Sequence, residues 1–177
     1  MPHLLTLTTD FGLDDGYVAA MKGVIHAIAP GLRTVDITHA VAPQDVMGAA
    51  FVLRQAAFFF PPDTVHLVVV DPGVGTERRA VAARIGGHTF VGPDNGLLSL
   101  LPGGDAPEAL VTLDRPTYWR SPHPSATFHG RDIFAPAAAH LAAGRALGEV
   151  GTPAEALQRL HWVRPRADDN GVQGWVV

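Results

Sequence analysis

The chain contains no cysteine, which excludes disulfides, thiolate catalysis and cysteine-ligated zinc. Positive charge is not in excess: 13 Lys and Arg against 17 Asp and Glu leave a net charge of −4 and a pI near 6.1. A face for nucleic acid needs a basic stripe, so no nucleic-acid partner is expected. No apolar run approaches the ~18 residues of a membrane span, so no membrane partner is expected either. The nine histidines are scattered, with no pair at the i, i+4 spacing of a helical metal site, so no metal is expected. Met1-Pro2-His3-Leu4-Leu5-Thr6 has no basic region or cleavage site and reads as the start of a mature, cytoplasmic protein.

What is present is ordinary for a compact fold. The 177 residues are 47% hydrophobic and 17% charged, enough for one domain with a proper core. Residues 4–8, 34–37, 65–70, 81–85, 89–91 and 111–113 read as strands. Val18, Met21, Ile25 and Ile28 fall at helical spacing after Asp14 and Asp15, either of which offers an N-cap. Asp45 caps a second helix that turns Val46, Ala50, Leu53 and Ala57 inward, and a third runs from about 131 to 144. Gly86-Gly87-His88 reads as a hairpin turn, and residues 102–126 as the least regular stretch. Strand and helix alternate, so the fold class is α/β: a mostly parallel central sheet flanked by helices, with one antiparallel hairpin.

The segment His66-Leu67-Val68-Val69-Val70-Asp71-Pro72-Gly73-Val74-Gly75-Thr76-Glu77-Arg78 is the most informative. A wholly apolar run suits a strand buried on both faces, and ligands in open α/β sheets bind beyond the carboxyl ends of such strands. Asp71 stands at that end, beside glycines that admit a ligand close to the backbone. Asp10 ends the first strand in the same way, and in a doubly wound sheet the two acids face one crevice. A turn aspartate often only caps its own turn, but Asp14 and Asp15 are better placed for capping than Asp10. In Thr127-Phe128-His129-Gly130-Arg131-Asp132 a loop meets a helix start. Asp132 fits the N-cap, which leaves His129 spare; Gly130 opens the backbone, and Phe128 is suited to stack on a base.

In this order the motifs resemble the S-adenosyl-L-methionine hydroxide adenosyltransferases, relatives of the enzymes that make fluorinated and chlorinated adenosine. The resemblance rests on Thr8-Thr9-Asp10-Phe11-Gly12, Tyr17-Val18-Ala19-Ala20-Met21-Lys22-Gly23, Val70-Asp71-Pro72-Gly73-Val74-Gly75, Gly92-Pro93-Asp94-Asn95-Gly96-Leu97-Leu98-Ser99 and the run from Phe128 to Pro136. It implies hydrolysis of S-adenosyl-L-methionine to adenosine and methionine, with water presented by Asp71, Arg78 and His129. Arg79 adjoins Arg78 and leaves the arginine open, as does the choice of Asp71 or His129 for the base. The resemblance also implies that Asp10 holds the ribose and that Phe128 and Gly130 line the adenosine pocket. S-adenosyl-L-methionine is then the substrate, and no cofactor is required.

By the same resemblance, the halogenating relatives typically have an aromatic residue in place of Asp71 and Tyr-Ser or a similar pair in place of His129-Gly130, and their fluorinating branch has a long insertion near the hairpin; none of these stands here. Water is therefore expected as nucleophile. Halide-dependent cleavage and substrate binding without turnover are the alternatives. The resemblance further implies a homotrimer with its site between subunits. Residues 1–165 are expected to form the catalytic domain. Residues 166–177 are expected to be a linker and the first strand of a small, truncated C-terminal β domain.

Overall fold

The structure is a computed structural model describing residues 4–161, 166–168 and 171–173. A seven-stranded sheet runs in the order β2-β1-β3-β5-β4-β6-β7. Its strands are β1 (Leu5–Thr9), β2 (Thr34–Thr38), β3 (Val65–Val69), β4 (Ala80–Ile85), β5 (His88–Pro93), β6 (Ala109–Thr112) and β7 (Thr152–Pro153). From β2 to β5 neighbours are parallel, and the remaining pairings are antiparallel. The expected hairpin is β4–β5, closed by Gly86 and Gly87 at φ 58° and 78°. Both turn residues therefore take the left-handed conformation that tight two-residue hairpins require. The antiparallel part is larger than one hairpin, because β6 joins β4 and the two-residue β7 joins β6. Parallel neighbours need long crossovers, so helices cover both faces of that half.

Helix α1 (Tyr17–Ile28) buries Val18, Met21 and Ile25, one stripe at helical spacing. Together with α3 (Ala135–Ala142) it packs on the face formed by Leu5, Leu7, Leu67 and Val69. Helix α2 (Val46–Ala56) puts Ala49, Ala50 and Leu53 on the opposite face, with Val68 and Val70. Each buried leucine, isoleucine or methionine contributes roughly 1.5–3 kcal/mol by leaving water. Asp45 caps α2 as expected, accepting from Gly48 N at 2.8 Å. Helix α1 departs from expectation: its N-cap is Gly16 without a side-chain bond, and Asp15 instead accepts from Tyr17 N at 3.1 Å. A short α4 (Leu147–Val150) follows α3.

No helix among the described residues is long and apolar enough to cross a membrane. Strands β8 (Arg166–Asp168) and β9 (Gly171–Gln173) pair antiparallel with each other. Residues 162–165, 169–170 and 174–177, on which much of the expected linker and terminal strand falls, lie outside the described residues.

Candidate active site

Because β1 and β3 are parallel neighbours with Thr9 opposite Val69, Asp10, one residue on, and Asp71, two residues on, emerge at the same end of the sheet. Asp10 and Asp71 consequently line one cleft of about 250 Å³, together with Phe11, Gln44, Phe128, His129 and Gly130. The end of β3 is anchored by Asn95 Nδ2, which donates to Val70 O at 2.8 Å. Asp10 is not free, as its sequence position suggested: Oδ2 accepts from Gln44 N at 2.7 Å. Gln44 supplies that N–H from a φ of 65°, a left-handed conformation uncommon outside glycine and concentrated at functional sites. Nothing in the sequence at Pro43-Gln44 signals it.

The loop after Asp71 curls through consecutive turns: Val74 N bonds Asp71 O and Thr76 N bonds Gly73 O. Gly75 is required there. Its φ is +77°, and a Cβ would lie 2.7 Å from Ala126 O, so a side chain would push apart two loops that wall the cleft. The curl returns Arg78 to Asp71. Arg78 Nε is 3.0 Å from both carboxylate oxygens, and Nη2 also donates to Oδ2. Nη2 lies 2.8 Å from His129 Nδ1 as well, so the arginine bridges the aspartate and the histidine. Phe134 carries the guanidinium carbon 5.1 Å above its ring. The side chains of Arg78 and Asp71 are only 8% and 6% exposed, which keeps the pair largely out of water.

Arg79 is excluded from this cluster. It points to buried Asp94, donating from Nε at 2.9 Å, and Nη2 caps Ala156 O at 2.6 Å. Asp94 also accepts from Gln158 N at 2.8 Å, so Arg79 and Asp94 fasten the segment that follows β7.

His129 opens a π-helical turn over Gly130–Phe134 that leads into α3. Such wide turns recur at functional sites because they displace side chains from the regular helical spacing. Asp132 does not cap the helix, contrary to its sequence position. It is buried, accepting from Arg131 Nε at 2.6 Å, Arg131 Nη2 at 2.8 Å and Ser125 N at 2.9 Å. The bond from Arg131 holds its carboxyl below the ordinary range against burial, with help from Ser125 and Arg120. That knot ties the 120–125 loop to the turn and so sets where His129 stands. Gly130 is buried, and a Cβ there would meet Met21, Phe128 and Phe11 at 3.3–3.5 Å. Phe128 packs edge-on against Tyr17 at 5.0 Å and Phe11 at 6.0 Å. Arg131 lies 4.9 Å over its ring.

Burial lowers the His129 pKa, and the Arg78 cation lowers it further; Asp71 and Asp132 pull the other way without prevailing. The imidazole is therefore neutral at pH 7. A guanidinium only donates, so Nδ1 is the acceptor and the ring proton sits on Nε2. Among the described residues no group of three or more His, Asp or Glu could hold a metal ion.

The cleft is thus walled by an aromatic cluster, carries an acid on each of two strand ends, and has a neutral histidine tethered to one acid through arginine. Residues 5–151 match the family model for the SAM hydroxide adenosyltransferase N-terminal domain. An (R)-S-adenosyl-L-methionine hydrolase of Salinispora arenicola is 48% identical over 172 residues, covering 93% of this chain and 64% of that protein. A fluorinase of an Actinoplanes species is 29% identical, covering 92% and 62%. The crystal structure of an uncharacterized conserved protein from Thermotoga maritima superposes with a TM-score of 0.88 at 41% identity, covering 92% of this chain and 63% of that one. The chain therefore spans a little under two thirds of the length of these relatives, and over most of its own length it belongs to the SAM hydroxide adenosyltransferase family, as that family's N-terminal domain.

Proposed function

We propose that this chain hydrolyses S-adenosyl-L-methionine to adenosine and methionine by attack of water on C5′ of the ribose. The observation that carries the reading is the Asp71–Arg78–His129 cluster, whose aspartate and histidine line the same cleft as Asp10. A sulfonium leaves as a neutral thioether and needs no general acid. What the reaction needs is an oxygen nucleophile held in line behind C5′ in a dry pocket. With its proton on Nε2, His129 donates to the water oxygen and orients it. It then has no vacant nitrogen for the water proton, because Nδ1 is taken by Arg78. Asp71 is left as the acceptor. Oδ1 meets only Nε of Arg78, whereas Oδ2 meets both Nε and Nη2, so Oδ1 has the second lone pair that can take the proton. As the C5′–O bond forms and the C5′–S bond breaks, the proton passes to Asp71 and the positive charge of the sulfonium is discharged. Asp10 holds the ribose hydroxyls, and Phe128 and Gly130 form the wall against the adenosine.

Halide as nucleophile is the second reading, which the fluorinase likeness raises. Asp71 argues against it, since a carboxylate in the cleft can take the proton that an attacking water must lose, and a halide has no proton to give. Chromatography of products formed in oxygen-18 water tests both. Adenosine carrying the label at its 5′ oxygen is expected, with no halogenated adenosine on adding chloride or bromide. Halogenated product would support the second reading. Binding of S-adenosyl-L-methionine with no adenosine released would make this a binding protein.

The same proposal extends to assembly and setting. Leu13 and Tyr17 are exposed apolar side chains, and Tyr17 packs on Phe128 at the cleft. They fit a site completed by a neighbouring subunit in a homotrimer, in the cytoplasm. Residues 1–165 are the catalytic domain, and residues 166–177 belong to a small β-rich one, a reading supported by the β8–β9 pairing. Light scattering on the active protein checks the assembly: full turnover by a monomer would refute the shared site.

A further inference from the structure

The loop between β2 and α2 contains a side chain that the chemistry above does not use. His39 is 5% exposed, and its Nδ1 lies 2.8 Å from Thr9 Oγ1. Its Nε2 is 3.1 Å from Asp36 Oδ1, an ion-pair distance that falls outside good hydrogen-bond geometry. Lys22 Nζ meets the other oxygen of Asp36 at 2.6 Å. A carboxylate beside Nε2 keeps the imidazole proton there, so Nδ1 accepts the Thr9 hydroxyl proton. Thr9 Oγ1, fully buried, in turn accepts from Phe11 N at 3.2 Å. The His39 carbonyl accepts from Gly12 N at 2.8 Å. Thr9, Phe11 and Gly12 are thus all tied to one histidine, and Asp10 is the residue they enclose. Gln44, from the same loop, holds Asp10 at Oδ2.

We propose that His39 is a positioning residue for nucleoside recognition. Backed by Asp36 and acting through Thr9, it fixes the end of β1 so that Asp10 presents its carboxylate to ribose hydroxyls. The role rests on reading the cleft as a nucleoside site, but it does not depend on turnover. Its signature is selectivity: disturbing the relay penalises only ligands that have those hydroxyls.

Calorimetric binding of adenosine and of 2′,3′-dideoxyadenosine to the 177-residue chain tests this. Thr9→Val and His39→Ala should each weaken adenosine about tenfold, the worth of one well-placed hydrogen bond, and leave the dideoxy compound unchanged. Thr9→Ser, which keeps the hydroxyl, should stay within about twofold of the unaltered chain. In turnover, KM for S-adenosyl-L-methionine should rise in Thr9→Val while kcat holds. If Thr9→Val does not fold, Asp36→Asn carries the test at a partly exposed position, with about a threefold selective loss expected. Equal losses for the two nucleosides, or none, would overturn the proposal. An unaltered chain that binds no adenosine would overturn it together with the nucleoside site. Binding of adenosine without release of any from substrate would overturn only the hydrolase reading.

Discussion

Replacing Arg78 with methionine separates what the cluster does for stability from what it does for chemistry. The guanidinium faces Asp71 with both Nε and Nη2 and His129 with Nη2, and its partner carboxylate is 6% exposed. Removing it leaves a charge in a site that water scarcely reaches, which costs roughly 3–5 kcal/mol when one member of a buried pair is deleted. Loss of the contact over Phe134 adds about 0.5–1 kcal/mol. For a chain of this size the total corresponds to a fall in Tm of about 10–15 °C. The double variant Arg78→Met with Asp71→Asn strands no charge and should recover most of that loss, because burying an ion pair gains little over burying neutral groups. Activity should not recover. If Asp71 is the proton acceptor as proposed, adenosine release should drop by about 10²-fold or more in Arg78→Met, Asp71→Asn and the double variant alike, since each loses that acceptor or its alignment. Urea denaturation at pH 7 supplies the stabilities, and chromatography supplies the rates. A double variant as unstable as the sum of the singles would refute the account of a buried, mutually compensated pair. Undiminished turnover in Arg78→Met would refute the role of the cluster.

Three further outcomes follow from neighbouring groups. Arg79→Met should lower stability by about 2 kcal/mol by loosening the tie to buried Asp94, and should expose residues 154–161 to protease; turnover per folded molecule should stay within about twofold of the unaltered chain, and a catalytic collapse would contradict the assignment of Arg78. In the proposed mechanism the neutral form of His129 is the working one, and its pKa is lowered, so activity should be flat at pH 7 and above and fall on the acid side only below about pH 6.5; an acid limb centred above that value would contradict it. His66, buried between Thr6 and His88, has its pKa lowered by burial, and further by the charge of His88, to about 3. Its contribution to stability is therefore complete above pH 6.5 and drains away at about 1.4 kcal/mol per unit as pH falls toward the folded value, about 2 kcal/mol by pH 5. In His66→Leu the pH 5 to pH 7 difference in stability should shrink by that amount, and an unchanged difference would show that His66 is not the acid-labile group.

How much of this was legible in the sequence depended on whether a residue's task is set by its own segment or by a distant one. The strands that build the cleft announce themselves locally, as apolar runs that stop on an acid. Once β1 and β3 are parallel neighbours, Asp10 and Asp71 must share an end of the sheet. The fold and the acids were readable for that reason. Choosing between Arg78 and Arg79 was not, because consecutive residues entering a strand face opposite sides, and which side is the cleft is fixed only by the register of β4. The capping expectations failed in the same way. Asp132 has a good local pattern for a cap, but Ser125, Arg131 and Arg120 offer a buried carboxylate more than an exposed helix end does. The antiparallel extension was invisible because β7 is two residues long, one of them proline, and exists only against β6. His39 and Gln44 are the extreme case. Both act 30 and 34 residues away from their partners on β1 and beyond it, one through a tautomer set by Asp36 and the other through a backbone conformation that glutamine's own preferences disfavour. A motif names the groups that would touch a substrate because their chemistry is irreplaceable. The groups that aim them need only the right distance, and distance is a property of the folded chain.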